Sequence, residues 1–327
     1  MRQNIWKYQV EKISEEDARV QNEEALAMLW DLIARGAIDL HVHSNTSDGK
    51  SSPAQLVQEA TENRLRAFAL TDHDTVSGIE IVSMVYEKLY QIIRELPDFI
   101  PGVEVSAKYE DQEIHMLAYY PKGNIRTLEP YLEQRLKDRE ARNRLLCEKV
   151  QNAGLPIKYE ELVNEGGNVI GRLHMAQLMI RRGFVTSVEE AFRLYLGEGQ
   201  VAYVRRDLPQ AEEVIQEILL TGGVPVLAHP AIYKDWMRGE NKKTRDALEA
   251  VFAGLMAKGL QGVEVIQGEM SHEESEILAE ITASLGLLPT VGSDYHGSHK
   301  PQVELRRGDE DYRLLLQKYF GEKVYAG

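Results

Sequence analysis

Two histidines one residue apart close an apolar run in "IDLHVHSNTSDGKSSP", residues 38–53, and an aspartate follows five residues later. Side chains alternate along an extended strand, so His41 and His43 share one face and Val42 takes the other. Two neutral imidazoles on one face, with the carboxylate of Asp48 in the loop beyond, form a donor set for a divalent ion. A pair of half-buried, hydrogen-bonded histidines is the alternative for this stretch taken alone.

The combination recurs along the chain. "ALTDHDT" carries His73, "GVEVS" carries Glu104, "EIHMLAYY" carries His115, "VLAHP" carries His229, and "VGSDYHG" carries Asp294 and His296 at the same i, i+2 spacing. Each group stands at the end of a run that reads as a strand. Imidazole and carboxylate without thiolate suit Zn, Mn or Fe. These nine side chains exceed what one ion, or two with open positions, would require, so three ions are the natural count, and two to three bound divalent ions are expected. Clustered ions suit phosphate-ester hydrolysis, in which metal-bound hydroxide attacks in line and the ions take up developing charge.

Side chains so far apart in sequence converge only if the strands that carry them lie side by side. "AIDLHV", "RAFALT", "FIPGVEVS", "EIHMLAYY", "VPVLAHP", "GVEVIQG" and "LLPTVGSD" read as buried strands, with "SSPAQLVQEATENR" and "EESEILAEITASLG" as helices between them. Ser52 before Pro53 is an N-cap with proline at the first helical position. This alternation predicts a largely parallel barrel or sheet, whose active-site loops gather at the C-terminal ends of the strands. The pattern changes between residues 124 and 210, which read as mainly helical. That segment holds 14 Lys and Arg against 12 Asp and Glu, whereas the whole chain of 327 residues carries -14. An anionic ligand is least repelled there. Residues 14–35 read as a separate capped helix that covers the bottom of a barrel or forms a dimer contact.

Composition excludes several classes. A net charge of -14 argues against a general polyanion surface, and no stable DNA binding is expected. Cys147 is the one cysteine, so neither an intrachain disulfide nor a thiolate cluster can form. It is expected to be an inert packing residue. The first twelve residues have no apolar signal core, and no uninterrupted apolar run spans a bilayer. A cytoplasmic protein is expected.

The HxH, TDHD, GxE, AHP and SDxH elements, in this order over residues 38–300, resemble the PHP family, the polymerase and histidinol phosphatase phosphoesterases. The resemblance implies a distorted (β/α)7 barrel with a trinuclear site. It further implies that His41, His43, Glu104 and Asp294 hold a first ion. Glu104 then bridges to a second held by His115 and His229, and Asp48, His73 and His296 hold a third. Glu104, Asp294 and His229 are the implied catalytic residues.

"REARNRLLCEKVQNAG" and "VIGRLHMAQLMIRRGFVTSVEEAFRLYLGEG" resemble the branch of nucleoside 3′,5′-bisphosphate phosphatases and short-RNA 5′-exonucleases, in which an inserted helical domain closes over the metals. The expected organisation is an N-terminal extension (1–37), a first barrel part (38–123), a helical insert (124–210) and a second barrel part (211–327). By this resemblance Arg172 and His174 grip a substrate phosphate, and Arg142 with Asn143 line the same pocket. Arginine's planar fork fits phosphate. The expected partner is a small phosphorylated substrate, a nucleotide or short single-stranded RNA. A phosphatase of a histidinol-phosphate-like metabolite is the first alternative. A barrel that has become a non-catalytic interaction module is the second, and the complete ligand set argues against it.

Other residues carry plainer expectations. Asp72 and Asp74 flank His73 and orient ligands without binding metal. His272 and His299 face solvent. The pairs Arg181-Arg182 and Arg205-Arg206 are solvated, the second being able to reach the far end of a polyanion.

Overall fold

A computed structural model describes residues 13–321 except 91, 92, 94, 167–169, 234, 241 and 309–311. The N-terminal stretch examined for a signal core, residues 1–12, lies outside the described residues. In chain order the elements begin with α1 (Glu15–Arg35), β1 (Ile38–Val42), α2 (Pro53–Glu62), β2 (Ala67–Leu70), α3 (Ser77–Leu89), β3 (Asp98–Tyr109) and β4 (Gln112–Tyr119). Four helices follow, α4 (Glu129–Asn152), α5 (Tyr159–Gly166), α6 (Arg172–Arg181) and α7 (Val188–Ala191). The chain returns through α8 (Ala211–Leu220), β5 (Val224–Leu227), α9 (Arg245–Met256), β6 (Gly262–Ile266), α10 (His272–Ser284), β7 (Leu288–Val291) and α11 (Arg313–Phe320).

Seven strands lie in sequence order, β1 to β7. The two edges meet where the His43 N–H donates to the Tyr295 carbonyl at 2.9 Å and the Asp294 N–H to the His41 carbonyl at 2.8 Å. The sheet is therefore a nearly closed barrel, with the seven strands where the apolar runs predict them. One departure from a largely parallel sheet is β4, which runs antiparallel to both β3 and β5. A parallel return needs a crossover of about a dozen residues. Only Glu110 and Asp111 separate Tyr109 from its partner Gln112, and Glu110 accepts a left-handed φ of 52° to make the turn.

Local chemistry sets the helix boundaries. Ser52 caps α2 through the Gln55 N–H while the Gln55 side chain accepts from the Ser52 N–H, a reciprocal pair that satisfies two orphan donors. Ser271 and Glu274 repeat the device on α10. Ser14 caps α1, which lies on the barrel: Asn22 is buried and donates to the Gly223 carbonyl at 2.7 Å and to Gln261 at 2.8 Å. Those partners immediately precede β5 and β6. Helix α1 thus packs at the N-terminal ends of these strands, opposite the ends that carry the histidines.

The apolar core falls into two clusters. One surrounds the barrel and includes Leu132 from the first part of α4; the other gathers residues from Leu146 to Val204, among them Val150, Ile157, Met175 and Leu196. Helix α4 therefore passes from one core to the other, and its middle stands over the C-terminal ends of the strands. Among the described residues, no helix is long and apolar enough to cross a membrane.

Candidate metal centre

Glu104 on β3 is the hub of the site. Its Oε1 lies 2.8 Å from His229 Nε2 and 2.9 Å from His115 Nδ1. Its Oε2 lies 3.0 Å from His73 Nδ1, 3.2 Å from His43 Nε2 and 3.3 Å from His41 Nε2. The strands dictate this convergence: His41 from β1, Glu104 from β3, His115 from β4 and the residues just past β2, β5 and β7 all reach one end of the barrel. Asp294 Oδ1 adds contacts of 3.5 Å to His41 and 3.4 Å to His43. Around Asp48, His296 stands at 3.3 Å, and His43 and His73 each at 3.6 Å.

All nine predicted ligands are therefore in one cluster. Their donor atoms form four groups able to hold a cation: His43, Asp48, His73 and His296; His41, His229 and Asp294; His41, His43 and Glu104; and His73, Glu104 and His115. The chemistry of the donors fits divalent ions, since His43 Nδ1, Glu104 Oε2 and His229 Nδ1 are buried without a hydrogen-bond partner among the described residues. Buried polar atoms are rarely left so. Burial opposes charge on Glu104, yet His73, His115 and His41 hold its carboxyl well below the usual range. Burial likewise opposes protonation of His43, but Asp294 and Glu104 push it up to about 9. The cluster thus demands positive charge.

Backbone strain turns some of these groups inward. His229 and Asp294 adopt left-handed φ values of 27° and 61°, each costing about 1–3 kcal/mol for a residue with a side chain. Gly292 lets the end of β7 lie against His41, because a Cβ there would overlap the His41 Cβ and Glu264 Oε1.

The flanking aspartates hold loop and strand groups beside the cluster. Asp72 accepts from the Ser44 N–H and from the hydroxyls of Ser44, Thr46 and Ser47, which sets the loop that delivers Asp48. Asp74 accepts from the Ser106 N–H at 3.0 Å and pairs with Arg139. His272 is exposed at the start of α10; His299 is exposed too, but its Nδ1 meets the Asp48 carbonyl at 2.8 Å.

Three supporting residues escaped the sequence reading. Glu264 on β6 is fully buried, accepts from His41 Nδ1 at 3.0 Å and takes the His229 N–H at 2.8 Å. Lys300 donates to Asp294 Oδ2 at 2.6 Å, and Asp39 accepts from the Ser293 N–H at 2.9 Å.

Beside the cluster is a cleft of about 240 Å³ that Asp48, His73 and His115 share with Arg139, Arg142, Arg172, His174 and Arg206. Arg139 and Arg206 are additions. The expectation that Arg206 is solvated is corrected: it is largely buried, paired with Glu113 and bonded to Ser106 Oγ at 3.1 Å. Arg142 and Arg172 have no carboxylate partner among the described residues. Burial and the neighbouring guanidiniums of Arg206, Arg139 and Arg172 bring Arg142 down to about 9. Arg172 lies over the rings of Phe192 and Tyr203 at 5.6 and 5.7 Å. His174 Nδ1 accepts from the Gly171 N–H at 3.2 Å, which leaves Nε2 to carry the proton of the neutral ring. Asn143 is not in this cleft: it is buried, donates to the Ile170 carbonyl at 2.9 Å and accepts from Arg142 at 3.2 Å, so it positions Arg142.

A nearly closed barrel with a His and carboxylate cluster at its C-terminal end, roofed by cationic helices, defines a metal-dependent hydrolase of phosphate esters. The PHP domain model matches residues 39–221, and the chain belongs to the PHP family. It is 32% identical to the 5'-3' exoribonuclease Rnm of Salmonella typhimurium, over 82% of this chain and 88% of that protein. It is 29% identical to the 3',5'-nucleoside bisphosphate phosphatase of Chromobacterium violaceum, over 79% and 87%. Among solved structures, a C. violaceum protein described as an amidohydrolase with bound sulfate and no metal superposes with a TM-score of 0.67 at 27% identity, covering 86% of this chain and 96% of that one.

Proposed function

We propose that the protein holds two to three divalent ions, Mn, Fe or Zn, and removes the 3′-phosphate of nucleoside 3′,5′-bisphosphates, with short 5′-phosphorylated oligoribonucleotides as further substrates. One observation carries the reading: two guanidiniums without an ion pair among the described residues, Arg142 and Arg172, share a cleft with the candidate ligands His73, His115 and Asp48. A substrate with one phosphate at the metals and a second at the arginines satisfies both. The names of the relatives support it, as does the sulfate of the C. violaceum structure, an anion of phosphate's shape.

In this reading His41, His43, Glu104 and Asp294 hold the first ion, His115 and His229 with Glu104 the second, and Asp48, His73 and His296 the third. Divalent ions held there would activate a water and neutralise phosphoryl charge. Arg172 and the Nε2–H of His174 hold the phosphate that is not cleaved. Arg142, kept in place by Asn143, adds charge beside it. Lys300 occupies Asp294 Oδ2 and so leaves Oδ1 to the metals. The insert over residues 124–210 covers the site. The test is phosphate release by Mn-loaded protein from adenosine 3′,5′-bisphosphate, histidinol phosphate and 5′-phosphorylated RNA of two to five nucleotides. The bisphosphate should be the best substrate; preference for histidinol phosphate would overturn the assignment.

A further inference from the structure

A second groove of about 330 Å³ adjoins the metal cleft. Arg139, Arg142, Arg206 and Ser106 line both, so they form a shared wall. Arg135 and Arg205 belong to the groove alone. Two of its three aspartates are already engaged, Asp74 by Arg139 and Asp138 by Arg135. Arg205 is exposed and makes no ion pair among the described residues, and Arg142 has none either. In a chain of charge -14 the groove sets five arginines against three aspartates, the third being Asp207. Its remaining lining is apolar: Leu145, 44% exposed, with Val204, Leu208 and Pro209.

Cationic side chains along a track with apolar surface beneath suit single-stranded nucleic acid, whose phosphates follow the charges while bases cover the apolar floor. A mononucleotide held at the metals and Arg172 leaves Arg135 and Arg205 unused. We propose that this groove binds the sugar-phosphate backbone of a short single-stranded oligonucleotide, downstream of the nucleotide that occupies the metal cleft. The inference rests on the phosphoesterase reading above and extends it to a second binding site. A chain leaving the cleft crosses the shared wall, where Arg139, Arg142 and Arg206 meet the phosphate between the two sites.

The test uses full-length Mn-loaded protein, adenosine 3′,5′-bisphosphate and a 5′-phosphorylated pentaribonucleotide. Arg205→Glu should lower kcat/KM on the pentamer about tenfold or more while leaving the bisphosphate within about twofold, because Arg205 is not among the residues that line the metal cleft. Arg135→Ala should act in the same sense. For the wild type, log kcat/KM should fall with log salt more steeply on the pentamer, by about 0.7 for each additional phosphate contact. Equal losses on both substrates, or an unchanged pentamer rate in both variants, would overturn the groove. Wild type that hydrolyses the bisphosphate and leaves the pentamer intact also overturns it. Failure on both substrates would instead strike the reading on which it rests.

Discussion

The carboxylate of Glu264 receives the Nδ1–H of His41 at 3.0 Å, in a part of the barrel where neither side chain meets solvent. Its other oxygen takes the backbone N–H of His229. One acid thus sets the ring orientation of one ligand and the strained backbone of another. A carboxylate behind a ligating imidazole fixes its tautomer and raises its basicity, and losing such a partner costs about 10–100-fold in metal affinity. Glu264→Gln should therefore retain metal less well. Its metal content after dialysis against graded chelator, compared with wild type, checks this. Equal retention would reduce Glu264 to a packing role.

Glu104 touches five histidines. Glu104→Gln should keep the fold, since the amide fills the same space, and lose at least about 100-fold in turnover, about 2.7 kcal/mol in barrier. Elemental analysis should show fewer ions than the two to three expected for wild type. Near wild-type turnover at full metal content would show that another residue joins the ions. No phosphoryl-enzyme should be trapped with either protein.

Arg172 tests the second phosphate. Removing a charge-assisted hydrogen bond should cost about 1.5–3 kcal/mol, a loss of about 10- to 100-fold in kcat/KM. Arg172→Ala should lose this on a nucleoside 3′,5′-bisphosphate and little on p-nitrophenyl phosphate, which has nothing to place at the arginine. Parallel losses on the two, with metal content unchanged, would assign Arg172 to the reaction centre.

Cys147 gives a pH-dependent readout. It is buried against the second core, and burial pushes its thiol up to about 11. An acid whose folded pKa is raised contributes stability that is fully present below its unfolded value, near 8.5, and is lost as pH rises through the folded value. Wild type should thus lose stability relative to Cys147→Ala between about pH 8.5 and 11. Urea midpoints across that range measure it. Native protein should also resist a thiol reagent at pH 8 and react with one equivalent when unfolded, while rapid native labelling would show that the thiol is accessible.

The ligand candidates were legible in the sequence because each lies in or just beyond a short apolar run, although β3 and β4 continue past Glu104 and His115, which stand inside their strands. Period-two alternation placed His41 with His43. The antiparallel course of β4 was not so legible, since it follows from a two-residue turn at Glu110 and Asp111 whose φ no periodicity reports.

The tetrapeptide GVEV occurs twice, at residues 102–105 and 262–265. Both copies form buried strand, so the local signal is the same. Glu104 meets the whole cluster, whereas Glu264 stands behind His41, and the difference comes from where β3 and β6 lie around the barrel. Arg139 and Arg206 make the same point for the cleft. On their own segments they are two more charges on a helix and a loop; only the packing of the helical layer over the barrel brings them within reach of Asp74 and Glu113. The donors and their strands are readable along the chain because ligand chemistry and strand alternation act within a few residues. That Glu264 supports a ligand, and which arginines lack an ion pair among the described residues, emerges only from the packed barrel, because burial and charge pairing depend on elements that meet after it closes.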